Sequence, residues 1–198
     1  MYGLIGAVVA GVLWGAWGGV PAPLGRSLDS VIQAVLLLLV FGIGLELGQN
    51  PQGKESLRAL GGKALGFPLL VGAVSLGAAI PVGWLLGLRW NEAGAIGAGC
   101  GFYSLTGVLA TELHSAELGT LAFLANLGRE LLALLLIPLL ARHVTPFAAV
   151  AVGGATAMDT TLPLIDRCTA GQMTPLALLQ GLVLTGGVPL VVPLLLRL

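Results

Sequence analysis

Arg129 and Glu130 stand side by side inside the apolar run LGTLAFLANLGRELLALLLIPLL, Leu118–Leu140. At 1.5 Å per helical residue they lie roughly 15 to 18 Å from either end of that run. Neither side chain easily snorkels to water from there. A charge at the centre of a membrane helix costs about 2.5 to 3.5 kcal/mol even on the mildest scale, so the pair needs partners or water. Asn126, one helical turn before Glu130, sets an amide on the same face. Asp159 lies among Thr156, Thr160 and Thr161 in the stretch GGATAMDTTLP. Such a set suits a transporter of a small solute, with threonine hydroxyls that can solvate a ligand or satisfy broken backbone. Because a buried carboxylate holds its charge at a cost, it can also exchange a proton for a cation, and Glu130 is the candidate for that switch.

Each assignment has a plainer alternative. Arg129 and Glu130 could simply pin neighbouring helices, and Asp159 could cap a half-helix by accepting its free N–H groups. Tyr103, Ser104 and Thr106 offer hydroxyls in the glycine-rich GFYSLTG, yet Ser and Thr also bond back to nearby carbonyls. Glu46, near the end of another apolar run, is long enough to reach the interface. His114 and His143 read as solvated loop residues. Cys100 and Cys168 have neither metal-ligand spacing nor a disulfide framework and read as incidental.

The elements that must position these residues are membrane helices. Of 198 residues, 57% are hydrophobic and 9% charged, and the mean hydropathy is +0.99, whereas soluble domains carry about 25% charged residues. Seven apolar segments follow: Met1–Val20, Val31–Gly48, Ala64–Leu88, Ala93–Ala110, Leu118–Leu140, Phe147–Ile165 and Pro175–Leu196. Their spacing is that of a bilayer rather than of a soluble core. The chain is therefore read as one integral membrane domain over residues 1–198, an all-α polytopic protein of the cytoplasmic membrane. Its net charge is zero and its basic residues are scattered, which argues against nucleic-acid binding. The first segment lacks a charged n-region and a cleavage pattern and reads as a retained span. Its Gly11, Gly15 and Gly19 allow close helix approach, within the bundle or toward a partner. Trp14, Trp17, Trp84 and Trp90 fall near segment ends and read as interface anchors.

Two segments are poor continuous helices. Ala93–Ala110 carries five glycines, and Phe147–Ile165 combines paired glycines with Pro163. Broken backbone at membrane depth is tolerated only where protein buries it or a wet cavity adjoins it. If both segments cross the membrane, the basic loop residues divide evenly and no orientation emerges. If both are re-entrant, Lys54, Arg58, Lys63, Arg142 and Arg167 share one face, with the polar interval Gln49–Lys63 as its main loop, against Arg26, Arg89 and Arg197. That bias follows the positive-inside rule, so the expectation is five full spans with two glycine-rich re-entrant or broken helices entering from opposite faces.

Three motifs in order and spacing, GFYSLTG with the following Thr111–Glu112, NLGRELLALLLIP at Asn126–Pro138, and GGATAMDTTLP at Gly153–Pro163, joined by GLELG at Gly44–Gly48, resemble the LysO lysine-exporter family. The resemblance covers essentially the whole chain. It implies export of L-lysine and lysine analogues, with an intramembrane acid matching Glu130 important for transport. It also implies that full-length members carry an additional N-terminal membrane region with a further acidic residue, which has no match here. A separately encoded small subunit, a homo-oligomer, or Glu46 as a substitute charge would each accommodate that difference.

Rival readings are an exporter of another amino acid, a scaffold subunit that transports nothing alone, and an intramembrane protease. The last fails because Ser104, His143, Glu130 and Asp159 form no recognisable nucleophile and base arrangement. No cofactor, metal or enzymatic activity is implied.

Overall fold

The computed structural model describes Ala10, Leu13, Leu38 and residues 51–198, with side chains of the long run described from Leu65 onward. Segments Met1–Val20 and Val31–Gly48, the glycine row Gly11, Gly15 and Gly19, and Glu46 lie outside the described residues. Everything below concerns the compact unit Asn50–Leu198.

That unit is helical throughout: α1 (Pro51–Leu85), α2 (Trp90–Ala98), α3 (Tyr103–Leu113), α4 (Ala116–His143), α5 (Pro146–Gly153), a 3₁₀ turn over Gly154–Met158, α6 (Leu162–Cys168) and α7 (Thr174–Leu196). Three helices are long and apolar enough to cross a membrane: Leu65–Leu85 of α1, α4 and α7. Exposed leucines such as Leu131, Leu132 and Leu135 on α4 are what a lipid-facing surface requires, since the backbone bonds of a spanning helix are satisfied internally. The interval Gln49–Lys63, expected as a polar loop, is helical from Pro51. Pro51 occupies the first helical position, where its missing N–H costs nothing, and the Lys, Glu, Arg, Leu and Ala that follow are good helix formers. His143, expected in a loop, is the last residue of α4.

Local signals account for the helix starts. The Ser115 hydroxyl accepts from the Leu118 amide at 3.2 Å, the Thr145 hydroxyl from the Ala148 amide at 3.1 Å, and the Glu92 carboxylate takes the Arg89 amide at 2.8 Å. Each satisfies a donor that a helix N-terminus otherwise leaves bare.

Both irregular segments are hairpins that enter and leave by the same face. Glu92, at the start of α2, lies 3.1 Å from His114, just past the end of α3, so that segment descends and returns. Phe67, near the start of the spanning stretch Leu65–Leu85 of α1, meets Phe147 edge-on at 6.0 Å, which puts the start of α5 at the opposite end. Ile165 on α6 packs in one buried cluster with Ala149 and Val150 of α5, Ile137 of α4 and Ala177 of α7. The second segment thus returns to the end it entered from. Small residues permit the close packing this needs. Gly83 faces Ala93 and Gly97 faces Ala79 across α1 and α2, and Gly119 faces Gly107 and Thr111 across α4 and α3.

Candidate functional site

The site is where the two hairpin tips meet. At the first tip the helical ladder stops at Ala98, and Cys100 and Gly101 turn with φ of 50° and 98°. The Gly101 amide donates to Asn126 Oδ1 at 2.8 Å. Asn126 Nδ2 donates to the carbonyls of Ile96 at 3.0 Å and Ala122 at 2.9 Å. One buried amide on a spanning helix thereby satisfies the Gly101 N–H freed by the break.

At the second tip Gly154 takes φ 62°, ψ −135°, a conformation that a residue with a Cβ adopts only under strain. A Cβ there would also collide with the Arg129 guanidinium and the Cys100 carbonyl. Gln180 on α7, fully buried, donates from Nε2 to the carbonyls of Val150 at 2.6 Å and Gly154 at 3.1 Å. Thr156 bonds back to the Gly153 carbonyl at 2.8 Å. The tips join through the Ala155 amide, which donates to the Cys100 carbonyl at 2.9 Å.

Successive residues on a helix diverge by about 100°, so Arg129 and Glu130 serve different neighbours. Arg129 stands against Gly101 and Gly154, just past the C-terminal ends of α2 and α5, whose partial negative charge favours a cation. Its Nη1 is buried without a hydrogen-bond partner among the described residues. Glu130, 7% exposed, turns to the start of α6. There the Thr160 hydroxyl donates to Glu130 Oε1 at 2.5 Å and lies 3.3 Å from Asp159 Oδ1. Asp159 Oδ1 also accepts the Thr160 amide at 2.6 Å. One hydroxyl proton thus stands between two carboxyl groups, a place for a cation or a shared proton. Tyr103 lies edge-on to Phe123 at 5.2 Å, close enough to Glu130 and Asp159 to feel their charge.

The structure therefore gathers Glu130, Thr160 and Asp159, with Tyr103 nearby. Arg129 is not the counter-ion of Glu130: the adjacent positions face apart, and the guanidinium lies against the tip glycines. The Asn126 amide, expected beside the Glu130 carboxylate, is engaged by the first tip. Thr106 gives its proton to the Phe102 carbonyl at 2.7 Å, Thr156 is likewise bonded locally, and Ser104 is exposed. Asp159 is exposed, and its carboxylate accepts the amide and hydroxyl of Thr160 just before α6. Sequence reasoning missed Gln180. Its signal was an amide inside the otherwise apolar stretch PLALLQGLVL, the same kind of signal that drew attention to Asn126.

Comparison with known proteins gives the family. The family described as Lysine exporter LysO matches residues 5–196. Lysine exporter LysO of Escherichia coli (strain K12) is 35% identical over 157 residues, covering 79% of this chain and 52% of its own length. The chain thus spans about half the length of that relative. A putative lysine exporter of Haemophilus influenzae is 33% identical over 183 residues, covering 91% of this chain and 90% of its own. No solved structure matches.

Proposed function

The chain belongs to the lysine exporter LysO family, and on that premise we propose that it carries L-lysine out of the cytoplasm across the inner membrane, in exchange for protons. The observation that carries this reading is the link Glu130–Thr160–Asp159, two carboxyl groups held at one point where opposed hairpin tips meet at membrane depth. An ammonium group replaces the shared proton there, and the returning proton displaces the ammonium. The cost of keeping two uncompensated negative charges together favours one cation or proton at a time. Broken helices supply the setting, since transporters bring discontinuous backbone to the midplane at the interface of two inverted elements.

Orientation follows from the basic residues. Lys54, Arg58 and Lys63 in the first part of α1, Arg142 at the end of α4 and Arg167 at the end of α6 share one end of the bundle, against Arg89 and Arg197 at the other. The positive-inside rule makes the first end cytoplasmic. The second hairpin then enters from the cytoplasm and the first from outside, with the acids between them. The test is efflux of labelled L-lysine from vesicles reconstituted with the purified chain under an imposed proton gradient. Wild type empties the vesicles and Glu130→Gln does not. Full efflux by that variant sinks the proposal, and a panel of labelled amino acids separates lysine from other cargo.

A further inference from the structure

A groove of about 760 Å³ runs between α1 and α4, with α2 and α5 completing its walls. Leu70, Val74, Ala78, Val82 and, just past the end of α1, Leu86 line it at every fourth position. That spacing is one edge of a helix, and it covers about 24 Å at 1.5 Å per residue. Leu70, Val74, Val82 and Leu86 are 57 to 68% exposed, so the groove opens outward, toward the hydrocarbon around a spanning helix. Its polar side chains are already engaged within the protein. The Ser75 hydroxyl donates to the Gly97 carbonyl at 2.8 Å, the Asn126 amide is bonded to Gly101, Ile96 and Ala122, and the Arg129 guanidinium stands against the tip glycines. The remaining walls are apolar and carry no carboxylate, so they suit hydrocarbon and not a cationic cargo.

The end of the groove lined by Leu86 and Leu88 has a different character. Arg89 follows directly, exposed and without an ion-pair partner among the described residues. Glu92, the nearest acid in sequence, is occupied by His114 and by the Arg89 backbone amide. Trp84 and Trp90 stand on either side of Arg89 in sequence, 78% and 56% exposed. Exposed tryptophans at the end of a spanning helix mark the headgroup level of a bilayer. A cation is thus placed at the depth of lipid phosphates, next to a hydrocarbon-lined slot. One leaflet is half of a core about 30 Å thick, so a lipid chain anchored at Arg89 extends along the groove to about the depth of Ala79.

We propose that this groove is a phospholipid site, with one acyl chain lying along Val82 and Ala78 between α1 and α4 and the headgroup phosphate held by Arg89. Charge complementarity selects the occupant. The planar donor fork of an arginine pairs with phosphate oxygens, and a cation at the mouth favours a phospholipid over a purely apolar occupant such as a partner helix. The acyl chain seals α1 against α4 behind the first hairpin, which makes the lipid part of the wall that supports the hairpin tips.

The experiment is native mass spectrometry of the full chain, purified in detergent and titrated separately with dioleoylphosphatidylglycerol, dioleoylglycerol and inorganic phosphate. Wild type is expected to retain one dioleoylphosphatidylglycerol at roughly tenfold lower concentration than dioleoylglycerol, the scale of one charge-assisted hydrogen-bond pair, and to retain no phosphate alone. Arg89→Gln keeps the backbone contact to Glu92 and is expected to erase that advantage. Ala78→Phe fills the slot from an exposed position and is expected to weaken retention of both lipids. Equal retention of the two lipids by wild type overturns the proposal, as does an unaltered phosphatidylglycerol titration in Arg89→Gln or in Ala78→Phe. Phosphate retained without lipid, and lost in Arg89→Gln, assigns the arginine to a free anion and overturns it too. Lysine efflux enters none of these readouts, so each such failure leaves the export reading standing.

Discussion

The amide of Ala155 donates to the carbonyl of Cys100 across 2.9 Å, joining two hairpins that enter the bundle from opposite ends. Around this bond, α4 presents Arg129 toward the C-terminal ends of α2 and α5 and Glu130 toward the start of α6. Adjacent opposite charges that would neutralise each other on a water-exposed loop are here held apart by helical geometry.

The tip contact makes Gly154 irreplaceable. Alanine there adds a Cβ against Arg129 and the Cys100 carbonyl and forces a glycine-only backbone conformation that costs about 1 to 3 kcal/mol. Gly154→Ala is expected to insert normally and to lose most of its transport. Membrane-fraction abundance and vesicle efflux measure the two separately, and wild-type efflux would refute the role of the contact. Gly128, where a Cβ meets nothing, should tolerate alanine.

Asn126 is expected to act on stability before transport. Asn126→Leu strands the Gly101 amide, a loss worth about 1 to 3 kcal/mol when buried, while the Ile96 carbonyl keeps the Gly99 amide. The thermal midpoint in detergent should fall by several degrees. Asn126→Asp keeps the acceptor for Gly101 and should fall less; equal loss in the two variants would argue against this bond.

Thr160 links the two acids through its hydroxyl. Thr160→Ser preserves the link and should export normally, while Thr160→Val removes it and should lower the efflux rate about tenfold, taking about 1.5 kcal/mol for a hydrogen bond to a charged group. If Thr160→Val matches Thr160→Ser in rate, the hydroxyl has no part in transport.

The hairpin topology has its own check. In a background with Cys100→Ser and Cys168→Ser, a cysteine replacing Glu92 and one replacing His114 should react with an impermeant maleimide from the same face of oriented vesicles. Cysteines replacing Arg142 and Arg167 should react from the other face. Labelling of the first two from opposite faces would mean that Ala93–Ala110 crosses the bilayer.

Much of this molecule was legible without coordinates. The low charge content and the spacing of apolar runs require a bilayer, because no arrangement of so few charges covers a water-soluble surface. The glycines of Ala93–Ala110 and the glycines and Pro163 of Phe147–Ile165 announce breaks, because each weakens the helical ladder locally. The depth of Glu130 in its run follows from counting residues. These properties depend on near neighbours along the chain and on the cost of transfer to lipid. Only the tertiary structure decided which group meets which: Asn126 with Gly101, Gln180 with Gly154, Thr160 with Glu130, partners 25 to 30 residues apart. A buried donor must find an acceptor, yet its sequence states only the demand. Which backbone break lies within reach is set by how helices pack, and that packing turned Arg129 away from Glu130 toward the tips.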